Sequence, residues 1–170
     1  PPYAPALIFD KIKDHQPGYR TLFGHFASPK RIALTLGVTE EFDHVLEFTR
    51  MYHERMKHNA PLRMEEVKTG AVHENIQEGN NVDLSIFPSP LMHEKDGGRY
   101  IGTGHLVITK DPDSDWINVG TYRIMSQDKN TLSIYIGPGK HAFIHKQKYF
   151  DKNQAMPVNV VLGSDPLDWF

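Results

Sequence analysis

The chain has 170 residues, with 19 Lys and Arg against 21 Asp and Glu, a net charge of −2 and no Cys. This balance, with no basic cluster, excludes a nucleic-acid footprint, and the lack of Cys excludes a disulfide scaffold and thiolate zinc sites. No apolar run approaches the roughly 20 residues that span a bilayer and no leader pattern opens the chain, so a cytoplasmic protein of one domain, or one with a small lobe, is expected.

Pro1–Pro5 is an irregular lead, and the apolar run Ala6–Phe9 reads as a strand. Asp14–Gly18 is a turn signal, and Thr21–Phe26 suits a second strand. Ser28-Pro29 predicts a helix start, with Gly37 as its stop after Leu36. Thr39 is then expected to cap a longer helix whose apolar stripe runs through Phe42, Val45, Leu46, Thr49 and Tyr52 or His53. His44, His53 and His58 on this segment read as solvated surface, since no H-E-x-x-H pattern accompanies them. Asn59-Ala60-Pro61 is the expected linker, dividing an N-terminal α/β lobe (1–59) from a strand-rich domain (60–170).

In the second part Val67–His73, Val82–Phe87, Tyr100–Lys110, Trp116–Met125, Thr131–Ile136 and Val158–Leu162 read as strands, and Ala142–Asn153 as a helix. Asp111–Asp115 and Gln127–Asn130 are turns between them. Six strands with short hairpins and one helix predict an α+β chain whose larger part is an antiparallel, closed or split β-barrel. There is no P-loop and no G-x-S-x-G elbow, and Gly102-Thr103-Gly104 lacks the following helix that a dinucleotide fingerprint needs.

The chemistry concentrates in Asp115–His141. Asn118 and Arg123 lie inside an apolar strand, where an unpaired amide or guanidinium is costly to bury. Lys140 and His141 follow the loop Gly137-Pro138-Gly139. An amide oxygen and an imidazole can share a divalent metal, and Arg with Lys can grip a phosphate or carboxylate. Residues five apart on a strand point to opposite faces, so Asn118 and Arg123 serve one site only if the strand bends, with a bulge at Gly120 as the expected device. On residue types alone, an edge strand with solvated Asn and Arg remains open.

These residues carry a resemblance. Asn118-Val119-Gly120-Thr121-Tyr122-Arg123, a hairpin tipped by Lys129-Asn130, and the basic Lys140 resemble the UbiD family of prenylated-FMN-dependent decarboxylases. Pro5–Lys13, Arg31–Gly37, Asp96–Gly104 with Val107–Asp113, and Met156–Pro166 are similar to further segments of that family, so the resemblance runs from Pro5 to Pro166. It implies a split barrel of the flavin-binding type and reversible, non-oxidative decarboxylation of an aromatic or α,β-unsaturated acid. It also implies an aromatic carboxylic acid and CO₂ as reaction partners, and no membrane or nucleic acid.

Residue by residue, the resemblance implies that Asn118 and His141 ligate Mn²⁺ and that Thr121, Tyr122 and Arg123 line the prenylated FMN beside Gly120. Arg123 would contact the substrate carboxylate and Lys140 the cofactor, while the backbone carbonyl of Val119 matches a K⁺ ligand of some members. A third metal-ligand Glu, two acidic residues and the oligomerisation domain of such enzymes would follow Phe170. The chain would then be the N-terminal part of the enzyme, not competent alone, forming a homo-oligomer or joining its C-terminal part through Trp169 and Phe170. The alternatives are a non-catalytic flavin- or phosphate-binding module and a helper subunit of a carboxylase complex.

Overall fold

The computed structural model describes residues 4–60, 65–102 and 104–169. The expectations placed on residues 1–3, Pro61, Thr103 and Phe170 therefore lie outside the described residues.

The first lobe begins with an antiparallel hairpin, β1 (Leu7–Phe9) paired with β2 (Thr21–Phe23), Leu7 opposite Phe23. α1 (Pro29–Thr35) starts as predicted, with the Ser28 hydroxyl accepting from the Arg31 N–H at 3.2 Å and Pro29 in the first turn. It stops at Gly37, whose φ of +65° suits a residue without a Cβ. The following helix differs from expectation. α2 spans Val45–Met56, and its N-cap is His44, whose Nδ1 accepts from the Leu46 N–H at 3.2 Å. Thr39 does not cap it; its N–H is taken by the Glu40 carboxylate, which also pairs with Arg55. Phe42 folds back onto Phe48 (ring centroids 5.2 Å apart) instead of extending the helix, so Phe48 is the buried anchor while Val45 and Leu46 face outward. Ala33, Val38 and Phe48 form the small core of this lobe.

Val67–His73 and Val82–Phe87 are not strands. Val67 and Val72 are exposed with no strand beside them, and Asp83 caps a short 3-10 turn at Leu84–Ile86 by accepting from the Ser85 N–H.

The larger core is built on one long hairpin that folds over on itself. Tyr100–Lys110 divides into β3 (Tyr100–Gly102) and β4 (Leu106–Lys110), and Trp116–Met125 into β5 (Ile117–Gly120) and β6 (Ile124–Ser126). β4 pairs with β5 (Val107 opposite Gly120) and β3 with β6 (Gly102 opposite Ile124), but the two pairs belong to different sheets. β7 (Leu132–Ile134) completes one sheet in the order β3-β6-β7. β8 (Asn159–Val161) completes the other, β5-β4-β8, and α3 (His141–Asp151) packs on β4 and β5. No closed barrel forms among the described residues, where the sheets have two, three and three strands. The chain is thus α+β with antiparallel sheets, as expected at that coarser level.

Bare backbone shapes the fold-over. A Cβ on Gly102 would lie 2.1 Å from Nδ1 of the His105 ring, and one on Gly120 would lie 3.0 Å from the Tyr122 ring. Gly120 thus does not bulge; its missing side chain makes room for Tyr122 to turn inward. Val107, Tyr122, Ile124, Ile136 and Ala142 pack together beneath the crease, Ile124 being 1% exposed.

At the hairpin tip the Asp111 N–H donates to the Trp116 carbonyl at 2.9 Å, and the buried Asp111 carboxylate accepts from the Lys148 ammonium at 2.6 Å. That hydrogen bond holds the Asp111 carboxyl below its ordinary range. It ties α3 to the tip. At the chain's end Trp169 packs edge-on to Phe26 at 6.5 Å, so it finds cover within the chain. The β1–β2 hairpin leaves more apolar surface open, with Leu7, Ile8, Phe9, Leu22 and Phe23 all exposed.

Two outcomes follow. Gly102→Ala should cost about 1–3 kcal/mol in urea unfolding, because the new methyl meets the buried His105, whereas Gly104→Ala, with open space around it, should cost nothing measurable. The Asp111 carboxyl is depressed, so its stabilisation is complete above the ordinary carboxylate range and is lost as pH falls through and below it. Asp111→Asn should therefore lose less Tm than the parent between about pH 6 and about pH 3 in a thermal-melt series.

Candidate active site

Where the ribbon breaks after Gly120, Thr121, Tyr122 and Arg123 leave the β4–β5 ladder and border an open groove of about 900 Å³. Its other walls come from Tyr100 and Met125 on the sheet β3-β6-β7, Ser133–Tyr135 along β7, and Gly137, Pro138 and Lys140 before α3. The fold-over thus brings together four of the expected cofactor-lining residues, Thr121, Tyr122, Arg123 and Lys140. Arg123 lies over the Tyr100 ring at 5.6 Å, and neither Arg123 nor Lys140 meets a carboxylate among the described residues.

Two cations without acidic partners beside aromatic walls suit an anionic, partly aromatic ligand. The start of α3 adds to this. Lys140 is its N-cap residue and makes no side-chain cap bond; its carbonyl takes the Phe143 N–H and the Tyr122 hydroxyl takes the Ala142 N–H, so the helix adds the positive end of its dipole more than open donors.

The remaining candidates stand behind or beside the groove. Asn118 is 7% exposed on β5, and its Nδ2 donates to the Tyr122 hydroxyl at 3.3 Å and to Thr109 Oγ1 at 3.4 Å. Its Oδ1 takes no hydrogen bond among the described residues. The Tyr122 hydroxyl also accepts from the Ala142 N–H at 3.3 Å, so one phenol joins Asn118 to the first turn of α3. His141 opens α3, and its ring meets the Trp116 ring edge-on at 5.0 Å, outside the groove lining. Val119 pairs with Ile108 in the ladder and turns its side chain outward.

As a metal site this is a partial donor set. Asn118 Oδ1 and the His141 imidazole are acceptable ligands to a hard divalent ion that takes about six. Among the described residues no group of three or more His, Asp or Glu gathers to complete such a shell. Val119 offers one backbone carbonyl, too little to define a K⁺ site.

The sequence reading missed Thr109 and His145. Thr109, 1% exposed on β4, lies 3.0 Å through Oγ1 from Nδ1 of His145, which is fully buried on α3. Burial holds the His145 imidazole pKa below its ordinary value. Trp116 packs edge-on to His145 at 4.5 Å as well as to His141. The available signals were a lone hydroxyl directly after the apolar run Leu106–Ile108 and a second His one helical turn after His141.

Tyr122→Phe keeps the ring over Gly120 but leaves the Asn118 amide and the Ala142 N–H without their acceptor. Leaving a buried donor unpaired costs about 1–3 kcal/mol, so this variant should lose at least that much in chemical denaturation.

Comparison with known proteins agrees with the geometry. Residues 64–170 match the family described as UbiD, the 3-octaprenyl-4-hydroxybenzoate carboxy-lyase Rift-related domain. The pyrrole-2-carboxylic acid decarboxylase of Pseudomonas aeruginosa is 32% identical over 96% of the chain and 34% of its own length. The chain therefore spans about a third of the length of the curated relatives it matches. The vanillic acid decarboxylase of Sedimentibacter hydroxybenzoicus in its closed form superposes with a TM-score of 0.82 at 26% identity, over 96% of this chain and 34% of that one. An evolved dimeric form of the UbiD-class enzyme HmfF from Pelotomaculum thermopropionicum, solved in complex with prFMN, shares the fold at a TM-score of 0.77 and 23% identity, over 95% of this chain and 36% of that one. On the extent of the family match and the identity to its relatives, this chain belongs to the UbiD family.

Proposed function

We propose that the protein carrying this chain is a UbiD-type carboxy-lyase that reversibly decarboxylates an aromatic or α,β-unsaturated carboxylic acid, using prenylated FMN. The observation that carries this reading is the groove in which Arg123 and Lys140, both free of carboxylate partners among the described residues, meet Tyr100 and Tyr122.

In the forward direction the bond between the acid carbon and its carboxylate breaks, CO₂ leaves, and a proton replaces it on carbon. The bound flavin would supply the electron sink for that carbanion-like change. The chain's own residues bind and orient. Arg123 offers a planar fork that can hold a carboxylate through two parallel hydrogen bonds. It orients the departing group and is held near Tyr100. Lys140, at the positive start of α3, is assigned to the cofactor's phosphate. Thr121 and Tyr122 border the groove where the flavin would lie, with Gly120 just before them in the chain. Asn118 and His141 are assigned as the residues of this chain that would hold a Mn²⁺, which would supply positive charge for the cofactor's phosphate. The exposed apolar hairpin β1–β2 is where we place contact with a second copy or with further parts of the enzyme.

The test uses the full-length protein reconstituted with prenylated flavin and a panel of aromatic acids. CO₂ release is expected, and Arg123→Ala should lower kcat/KM on the order of tenfold to a hundredfold, the loss of a charge-assisted hydrogen-bond pair. Unchanged turnover in that variant removes the carboxylate role, and flavin binding without CO₂ release from any acid returns the protein to a binding module.

A further inference from the structure

The buried hydrogen bonds behind the groove form a chain with a direction. Asn118 on β5, Thr109 on β4 and His145 on α3 are brought together from three elements, His145 lying 36 residues from Thr109 in sequence. All three are buried, at 7%, 1% and 0% exposed. A carboxamide has two N–H donors and one carbonyl acceptor at its end, and the two ends are nearly the same size. Packing alone therefore selects poorly between them, and hydrogen bonds must decide which end faces a ligand. Here both amide N–H groups are engaged, one by the Tyr122 hydroxyl at 3.3 Å and one by Thr109 Oγ1 at 3.4 Å. The carbonyl oxygen is left as the end available to a ligand.

Thr109 can hold its part only if its own proton goes elsewhere. A threonine hydroxyl has one proton, and the Oγ1 that accepts from Asn118 lies 3.0 Å from Nδ1 of His145. A relay in this direction requires the neutral imidazole with its proton on Nε2, whose Nδ1 lone pair then accepts the hydroxyl proton while Oγ1 accepts from the amide. Nε2 is itself buried and without a hydrogen-bond partner among the described residues. Trp116, edge-on to this ring at 4.5 Å, fixes where it sits.

We infer that Thr109 and His145 are positioning residues that lock the Asn118 amide with its oxygen toward the ligand, through the relay His145 Nδ1, Thr109 Oγ1, Asn118 Nδ2. The inference rests on the proposed reading of Asn118 as a metal ligand. Outer hydrogen bonds of this kind orient the groups that touch the metal, and their loss typically weakens metal binding by about ten- to a hundredfold.

The test is a titration of the full-length protein, loaded with flavin mononucleotide, with Mn²⁺, the free ion being followed by electron paramagnetic resonance. Thr109→Val removes the hydroxyl at nearly constant shape and should weaken Mn²⁺ binding by about ten- to a hundredfold. Thr109→Ser keeps the hydroxyl and should bind as the parent does. His145→Phe, which leaves Thr109 in place without its acceptor, should weaken binding in the same direction and carries the test should Thr109→Val fail to fold. Asn118→Ala separates the two readings. If it weakens binding while Thr109→Val and His145→Phe bind as the parent does, Asn118 remains a ligand and the positioning relay is overturned. If Asn118→Ala itself binds as the parent does, the ligand reading fails and takes the relay with it. Equal weakening in Thr109→Ser and Thr109→Val overturns the relay in favour of simple packing.

Discussion

The Tyr122 side chain is the constraint on which this structure turns. Its ring occupies the space that a side chain at Gly120 would fill, and its hydroxyl receives N–H groups from Asn118 and from Ala142 at the start of α3. A tyrosine can turn inward at that point only because the β5 strand has ended, and the end of β5 is what moves β6 into the second sheet. The break after Gly120, the docking of α3 and one N–H of the Asn118 amide thus all meet at one buried side chain. The phenol suits this task because a buried tyrosine brings a large apolar body and one polar handle.

Charge is distributed in keeping with that architecture. Two acidic residues beside α3 are occupied structurally, Asp111 and Asp113 holding Lys148 and Lys152 at the hairpin tip. The groove at the other end of the ribbon keeps Arg123 and Lys140 without such partners among the described residues. A cation left unpaired beside aromatic walls is available to an anion, so the two ends of one hairpin differ in how their charges are used.

The first lobe contributes less to the groove than to cover. α1 and α2 share a small core at Ala33, Val38 and Phe48, while the β1–β2 hairpin keeps apolar side chains open on both faces. Two-stranded hairpins have little stability by themselves, so this one depends on what packs against it. Tyr19 and Phe26 already reach across to Phe87 and Trp169.

The sequence by itself determined the local structure wherever a nearest-neighbour rule applied. Ser28-Pro29 and Gly37 bounded α1, six of the eight runs read as strands hold the eight strands of the described residues, and the turn at Asp111–Asp115 sat where it was read. It also carried the ordered motifs from Pro5 to Pro166 by which the family was legible. Tertiary structure decided the rest. Nothing local distinguishes a ten-residue strand from two short strands in different sheets, because the break after Gly120 depends on where the Tyr122 ring finds room. Val67–His73 had strand-forming residues but no partner edge, and a strand exists only in a pair. The pairing of Thr109 with His145 was not legible for the same reason. Their meaning lies in a hydrogen bond between residues 36 apart, which only the packing of α3 on β4 creates.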